Sequence, residues 1–371
     1  MLVDVEIVFI IIVLLLMFRK KDGLAESSLP IAKDVNSFIS KETSAFFKAF
    51  CCVIIVLHHF SLRYENGGLI SSLVAVGGGS FSLPIFFLLS SYGVVKSEYR
   101  CRTNAILFVK KRLLKIMIPF WIICSVTVLT YSMISLEGVT QSELAAYRVN
   151  SYFGFMAGIP LIQKLGMCLG LIEIDGAMWF IWVTVVSYIA ILISKSIFRL
   201  DKFPIGFFAL YVALIVFSGV CFFIFELPAH YWRNLWALIL GGGLAVLDIK
   251  SVRMTKMFLL AVCFITNVYL CIYSVYMHDY VYMVFANMAL ISIFIVNELL
   301  KKKLEFHSVI TVLSGLSYWI YLIHIKVLTF EWYFVGYKDV FVPLFVIITM
   351  SFLFSKLLKS NRGCINEIRI L

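Results

Sequence analysis

Runs of about twenty mostly apolar residues recur along this chain, separated by short connectors rich in lysine and arginine. Inside hydrocarbon every backbone N–H and C=O must be satisfied within its own segment, so runs of this length fold as bilayer-spanning helices. Composition agrees. The 371 residues are 62% hydrophobic and 14% charged, with mean hydropathy +0.99, whereas a soluble domain is about half apolar and a quarter charged. Eleven runs qualify: 3–18, 46–62, 81–95, 116–136, 177–194, 204–225, 235–247, 257–277, 281–299, 309–328 and 340–358. The expected fold is an all-α polytopic integral membrane protein with about eleven transmembrane helices, no soluble domain and no internal repeat.

Charge sets the expected orientation. The first run begins with Asp4 and Glu6 and ends in Arg19, Lys20 and Lys21, the reverse of a cleavable signal peptide. It reads as a retained helix whose N-terminus lies outside. Alternating spans then place 26 of the 32 basic residues in inner connectors, as the positive-inside rule requires, with a cytoplasmic C-terminus. The formal net charge of +11 is thereby assigned to topology, and no nucleic-acid partner is expected. The nine cysteines form no C-x-x-C pair, no zinc or haem spacing appears, and no metal site is expected. Gly77-Gly78-Gly79 lacks the Gly-Lys-Ser of a phosphate loop; it reads as a flexible outer loop or a close helix approach. Residues 137–175 form a long outer segment, of which 152–172 is a candidate re-entrant stretch.

Chemistry concentrates in two helices. In FFKAFCCVIIVLHHF, residues 46–60, Lys48 and His59 are eleven residues apart, about three turns, so they share a face about 16 Å apart; His58 points about 100° away. In the 309–328 run, Ser314, Ser317, Tyr321 and His324 form one polar stripe. His324 lies at the depth of His59, which suggests a shared polar cavity. Ionisable groups inside a membrane segment mark function by default, and a neutral imidazole can take a proton from a hydroxyl. For Ser314 and Ser317 ordinary interhelical hydrogen bonding also accounts for the pattern. At the inner mouth, Arg112 and Lys115 precede Pro119 and suit an anionic, phosphate-bearing ligand. Lys96, Arg100 and Lys110 read as topogenic charge. These residues alone leave open a group-transfer enzyme, a transporter or flippase for a lipid-linked glycan, and a glycan polymerase.

The set of PIFFLLSSYG at 84–93, KKRLLKIMIPFW at 110–121, MWFIW at 178–182 and SYWIYLIH at 317–324, with His59 before them, resembles the membrane acyltransferase-3 family over about residues 44–355. The resemblance implies a ten-helix core with one added N-terminal helix. It divides the chain into 1–43 (N-terminal helix and cytoplasmic connector), 44–358 (acyltransferase-3 transmembrane domain) and 359–371 (cytoplasmic tail). It implies an O-acetyltransferase of the bacterial inner membrane. The donor would be acetyl-CoA or another acyl-CoA, and the acceptor a saccharide hydroxyl of O-antigen, capsule or exopolysaccharide. His59 matches the family's catalytic histidine, with His324 and Tyr321 beside it as catalytic candidates. Lys48, Arg112 and Lys115 become the donor-binding candidates; Ser90, Trp179 and Asp175 become the substrate-binding ones. Two positions depart from the family pattern. Lys48 stands where arginine is usual, losing a planar fork, and Ala45 stands where an acidic residue is usual.

Overall fold

The computed structural model describes residues 2–20, 37–63, 68–134, 156–249, 279–302, 304–306, 308–334 and 339–367, with the isolated positions 268 and 272. The helices are α1 (Leu2–Leu16), α2 (Lys41–Ser61), α3 (Leu69–Arg100), α4 (Ala105–Met133) and α5 (Leu161–Cys168). They continue with α6 (Trp179–Ile197), α7 (Pro204–Ile224), α8 (Leu235–Ile249), α9 (Tyr280–Lys302), α10 (Ser308–Phe334) and α11 (Phe341–Glu367). Among the described residues seven helices are long and apolar enough to cross a membrane, with shorter apolar helices beside them. The protein is an all-α, multi-pass membrane protein. The expected span at 257–277 and the outer stretch 137–155 lie outside the described residues. Among the described residues one antiparallel ribbon pairs Phe18–Lys20 (β1) with Leu304–Phe306 (β2), an element with no signal in the apolar pattern.

Local chemistry sets the helix ends. The Ser40 hydroxyl accepts from Thr43 N at 3.0 Å at the start of α2, the Asn104 side chain accepts from Leu107 N at 2.8 Å at the start of α4, and Pro204 opens α7. Each satisfies or removes an orphan donor of a first turn. The acidic start of α1 does the same for other helices. Asp4 Oδ1 accepts from Ser71 N at 3.0 Å in the first turn of α3, and Glu6 Oε2 accepts from Val340 N at 3.0 Å just before α11. Carboxylates placed at the positive ends of two helix dipoles tie α1 to the bundle.

The expected span 81–95 is twelve residues short at its start, because α3 runs from Leu69. Gly77–Gly79 lie inside this helix, so the close-approach reading holds and the flexible-loop reading does not. A Cβ on Gly77 would fall 2.2 Å from the Phe285 ring, and one on Gly79 3.0 Å from His58 Nε2. Tertiary packing outweighs the roughly 1 kcal/mol that each glycine costs a helix. Residues 161–168 form an eight-residue helix, about 12 Å long and too short to span; its end is held by Trp121 Nε1 donating to Leu169 O at 3.0 Å.

α3 is the hub. It packs against α2, α8 and α9, and α10 packs on the other side of α2. The apolar stretch of α2 is 67% buried and that of α7 only 17%, so α2 lies at the centre of the protein and α7 on its lipid-facing rim.

Candidate active site

Two cavities with polar side chains in their walls lie in the bundle on either side of one side chain; they are called inner and outer after the orientation expected from charge. The inner one, about 680 Å³, is lined by Lys48 of α2, Ser90 of α3, Lys111, Arg112 and Lys115 of α4, Thr184 and Tyr188 of α6, and Ser314, Ser317 and Tyr321 of α10. The outer one, about 210 Å³, is lined by His58 and His59 of α2, Gly79 and Ser80 of α3, Ala177, Trp179, His230, Arg233 and Asp279, and again by Tyr321. The Tyr321 ring packs on Phe180 at 4.6 Å between centroids, and Phe180 also lines the inner cavity.

The inner cavity is cationic for a local reason. The first part of α4 contains a π-helical turn, Val109–Leu113, a distortion common at functional sites, and Lys111, Arg112 and Lys115 all line the same chamber. Arg112 Nη2 donates to Ser97 Oγ at 2.5 Å, while its Nε is buried with no hydrogen-bond partner. Lys48 is near enough to Lys115 for the two charges to repel. Like charges gathered in a low-dielectric wall create a concave field that suits an anion. Ser90 Oγ and Tyr188 Oη are 3.0 Å apart and present a polar edge to the same space. Lys111 was not singled out in the sequence, although it follows Lys110 directly.

The two helices bring the histidines together as their spacing suggested, but the expected shared cavity is not formed: His59 lines the outer cavity, while His324 lines neither and packs behind His59. The His59 and His324 rings are 5.0 Å apart between centroids, and the His58 ring is 4.8 Å from His59. His324 is fully buried. Its Nδ1 lies 2.7 Å from Tyr321 O; a carbonyl only accepts, so Nδ1 carries the hydrogen and Nε2 is left with its lone pair. That Nε2 has no partner. His58 is held in the same way, its Nδ1 donating to Val74 O at 3.1 Å.

The turn before α6 anchors this region. Asp175 Oδ1 accepts from Ala177 N at 3.1 Å, and Asp175 Oδ2 pairs with Lys326 Nζ at 2.6 Å. Tyr321 Oη donates to Ala177 O at 2.6 Å. Asp175 lines neither cavity, so the structure places five of the substrate and donor candidates on a cavity wall and sets Asp175 behind one.

Sequence reasoning missed the segment between α7 and α8. The His230 ring packs on Trp179 at 4.8 Å between centroids, tilted by 45°, and Arg233 Nη1 donates to Asp279 Oδ2 at 3.4 Å. Tyr231 Oη donates to Glu173 Oε1 in a short bond. Burial, helped by Arg233, pulls the His230 imidazole down to about 4. Burial likewise raises the Glu173 carboxyl and the Tyr231 phenol, the latter reinforced by Glu173. The signal available in sequence was the density of aromatic and polar residues in Pro228–Asn234. Among the described residues no three His, Cys, Asp or Glu side chains group as a metal site.

A polytopic helical bundle with a cationic chamber and a histidine-lined cavity back to back defines a membrane protein with an interior polar site. A family model described as an acyltransferase domain matches residues 45–359, and the chain belongs to the membrane acyltransferase-3 family. Helix α1 precedes the matched range. No curated protein and no solved structure matches the chain.

Proposed function

We propose that this acyltransferase moves an acetyl group from acetyl-CoA, bound in the inner cavity, to a hydroxyl of a saccharide entering the outer one. The observation that carries the reading is the shared wall: Tyr321 lines both cavities, so a donor held on one side and an acceptor on the other meet there. The inner chamber fits the donor. Lys48, Arg112 and Lys115 line it and would hold its phosphates, and its thioester arm would reach toward Tyr321.

In this mechanism His59 takes the proton of the acceptor hydroxyl as that oxygen attacks the thioester carbonyl. The C–S bond breaks, the thiolate receives the proton from His59, and the products are the sugar ester and free CoA. His324, with its unpartnered Nε2, stands beside His59 to receive or orient its hydrogen. Trp179 offers its ring to the acceptor and Ser90 its hydroxyl to the donor arm. Asp175 acts through position: it fixes the Ala177 turn and Lys326. The basic connectors support a bacterial inner-membrane setting with the donor side cytoplasmic, the N-terminus outside and the C-terminus inside.

The test is the ester content of surface glycan in cells carrying His59→Ala. Loss of ester groups with a normal amount of glycan supports the reading. Loss of the glycan itself points to transport or polymerisation, and unchanged ester removes His59 from the mechanism.

A further inference from the structure

The outer cavity carries more chemistry than a general base needs. One wall is the tilted Trp179–His230 ring pair. The charged groups are Arg233 and Asp279, whose ion pair is open at 3.4 Å and partly exposed, 23% and 34% by side chain. The Arg233 guanidinium also lies over the Tyr282 ring at 4.9 Å, and its Nε is buried without a hydrogen-bond partner. Asp279 Oδ1 accepts from Tyr282 N at 3.1 Å. The pair is thus anchored from behind by Tyr282, and both of its side chains line the cavity.

Size and charge narrow the ligand. A volume near 210 Å³ is below the roughly 300–1,000 Å³ of sites that enclose drug-sized molecules; it suits one ring of the acceptor. The charged lining is one arginine against one aspartate, with the imidazoles His58, His59 and His230 around them. Opposed charges of this kind serve paired hydroxyls, the arginine donating and the carboxylate accepting, while an anionic substituent would meet Asp279.

We infer that the outer cavity is an acceptor subsite for one uncharged sugar ring, seated against Trp179 and His230 and held through adjacent hydroxyls by Asp279 and Arg233. This rests on the acyl-transfer reading, because His59 lines the same space and would meet a third hydroxyl of that ring. The subsite makes Arg233 and Asp279 specificity residues that leave the donor untouched.

The full-length protein in lipid nanodiscs tests this with acetyl-CoA as donor and two probes, methyl glucoside and methyl glucuronoside. The wild type is expected to esterify the neutral probe at least about tenfold more efficiently than the acidic one. Asp279→Asn and Arg233→Gln are expected to raise the neutral probe's KM about tenfold, with the KM for acetyl-CoA within about twofold of wild type; loss of one hydrogen bond to a charged group is of this order. Preference for the acidic probe, or variants that change only kcat or donor KM, overturns the inference. Binding of the neutral probe, followed separately by saturation-transfer NMR, keeps the two readings apart. Probe binding that is lost in Asp279→Asn, without any consumption of acetyl-CoA, supports the subsite and sinks acyl transfer from that donor. Consumption of acetyl-CoA without probe binding overturns the subsite alone.

Discussion

Replacing Tyr321 by phenylalanine separates two roles open to a catalytic tyrosine at this place, orienting the site and stabilising an oxyanion. A tyrosine hydroxyl has one hydrogen to give, and in this structure it goes to Ala177 O at 2.6 Å. The ring, which walls both cavities and packs on Phe180 at 4.6 Å, survives the change. The variant therefore loses one buried hydrogen bond and leaves a carbonyl unsatisfied, a cost of about 1–3 kcal/mol in stability. Turnover should fall by less than about tenfold, because no transition-state donor is removed. An oxyanion donor would instead be worth roughly 10²–10³ in kcat. Thermal unfolding in detergent and steady-state acetyl transfer by the same preparation make the comparison. A hundredfold loss of kcat at unchanged unfolding temperature refutes the orienting role.

Other expectations follow from the same geometry. Lys48→Ala and Lys115→Ala each raise the KM for acetyl-CoA by about tenfold with the acceptor KM unchanged, whereas Lys48→Arg restores or tightens donor binding by supplying a planar fork; steady-state kinetics with varied donor reads both. Gly241→Ala puts a Cβ 2.2 Å from Leu88 O, a backbone atom that cannot swing away, so the α3–α8 contact opens at a cost of about 1–3 kcal/mol; size-exclusion profiles and unfolding temperature report it. His230 titrates near 6.5 in the unfolded chain and is pulled down to about 4 when folded. The unfolded state thus binds more protons between these values, and stability falls as pH drops through that window. His230→Gln should flatten that part of the unfolding-temperature curve.

The sequence made the spans legible because hydropathy and positive charge are local properties. Ten of the eleven expected runs coincide with helices α1–α4 and α6–α11, and the eleventh lies outside the described residues. The facing of Lys48 and His59, and the stripe ending in His324, were legible because helical period alone places them. What was illegible depends on partners distant in sequence. Gly77–Gly79 read as loop-like until the His58 and Phe285 rings are set against them. Asp175 read as a ligand candidate, and only the fold reveals Lys326 beside it. His230 and Asp279 sit in connectors with no periodicity, 49 residues apart, and nothing in either connector announces that they share a cavity.

Charge is divided sharply between the two sides of Tyr321. Four cationic side chains serve the inner chamber, Lys48, Lys111, Arg112 and Lys115, while the outer cavity sets one arginine against one aspartate. On the proposed reading this division settles what crosses the wall. A polyanionic donor gains its binding from the four cations and loses it if it advances, so its phosphates stay on the inner side. The outer cavity is also the smaller, 210 against 680 Å³, which favours the slender end of the donor there over its nucleotide. Only the slender uncharged end of the donor fits both conditions. The Tyr321–Phe180 contact is then where a thioester carbonyl is presented to His59, with the charged body of the donor held behind as an anchor. Binding energy gathered far from the reacting carbon is thereby available to position it.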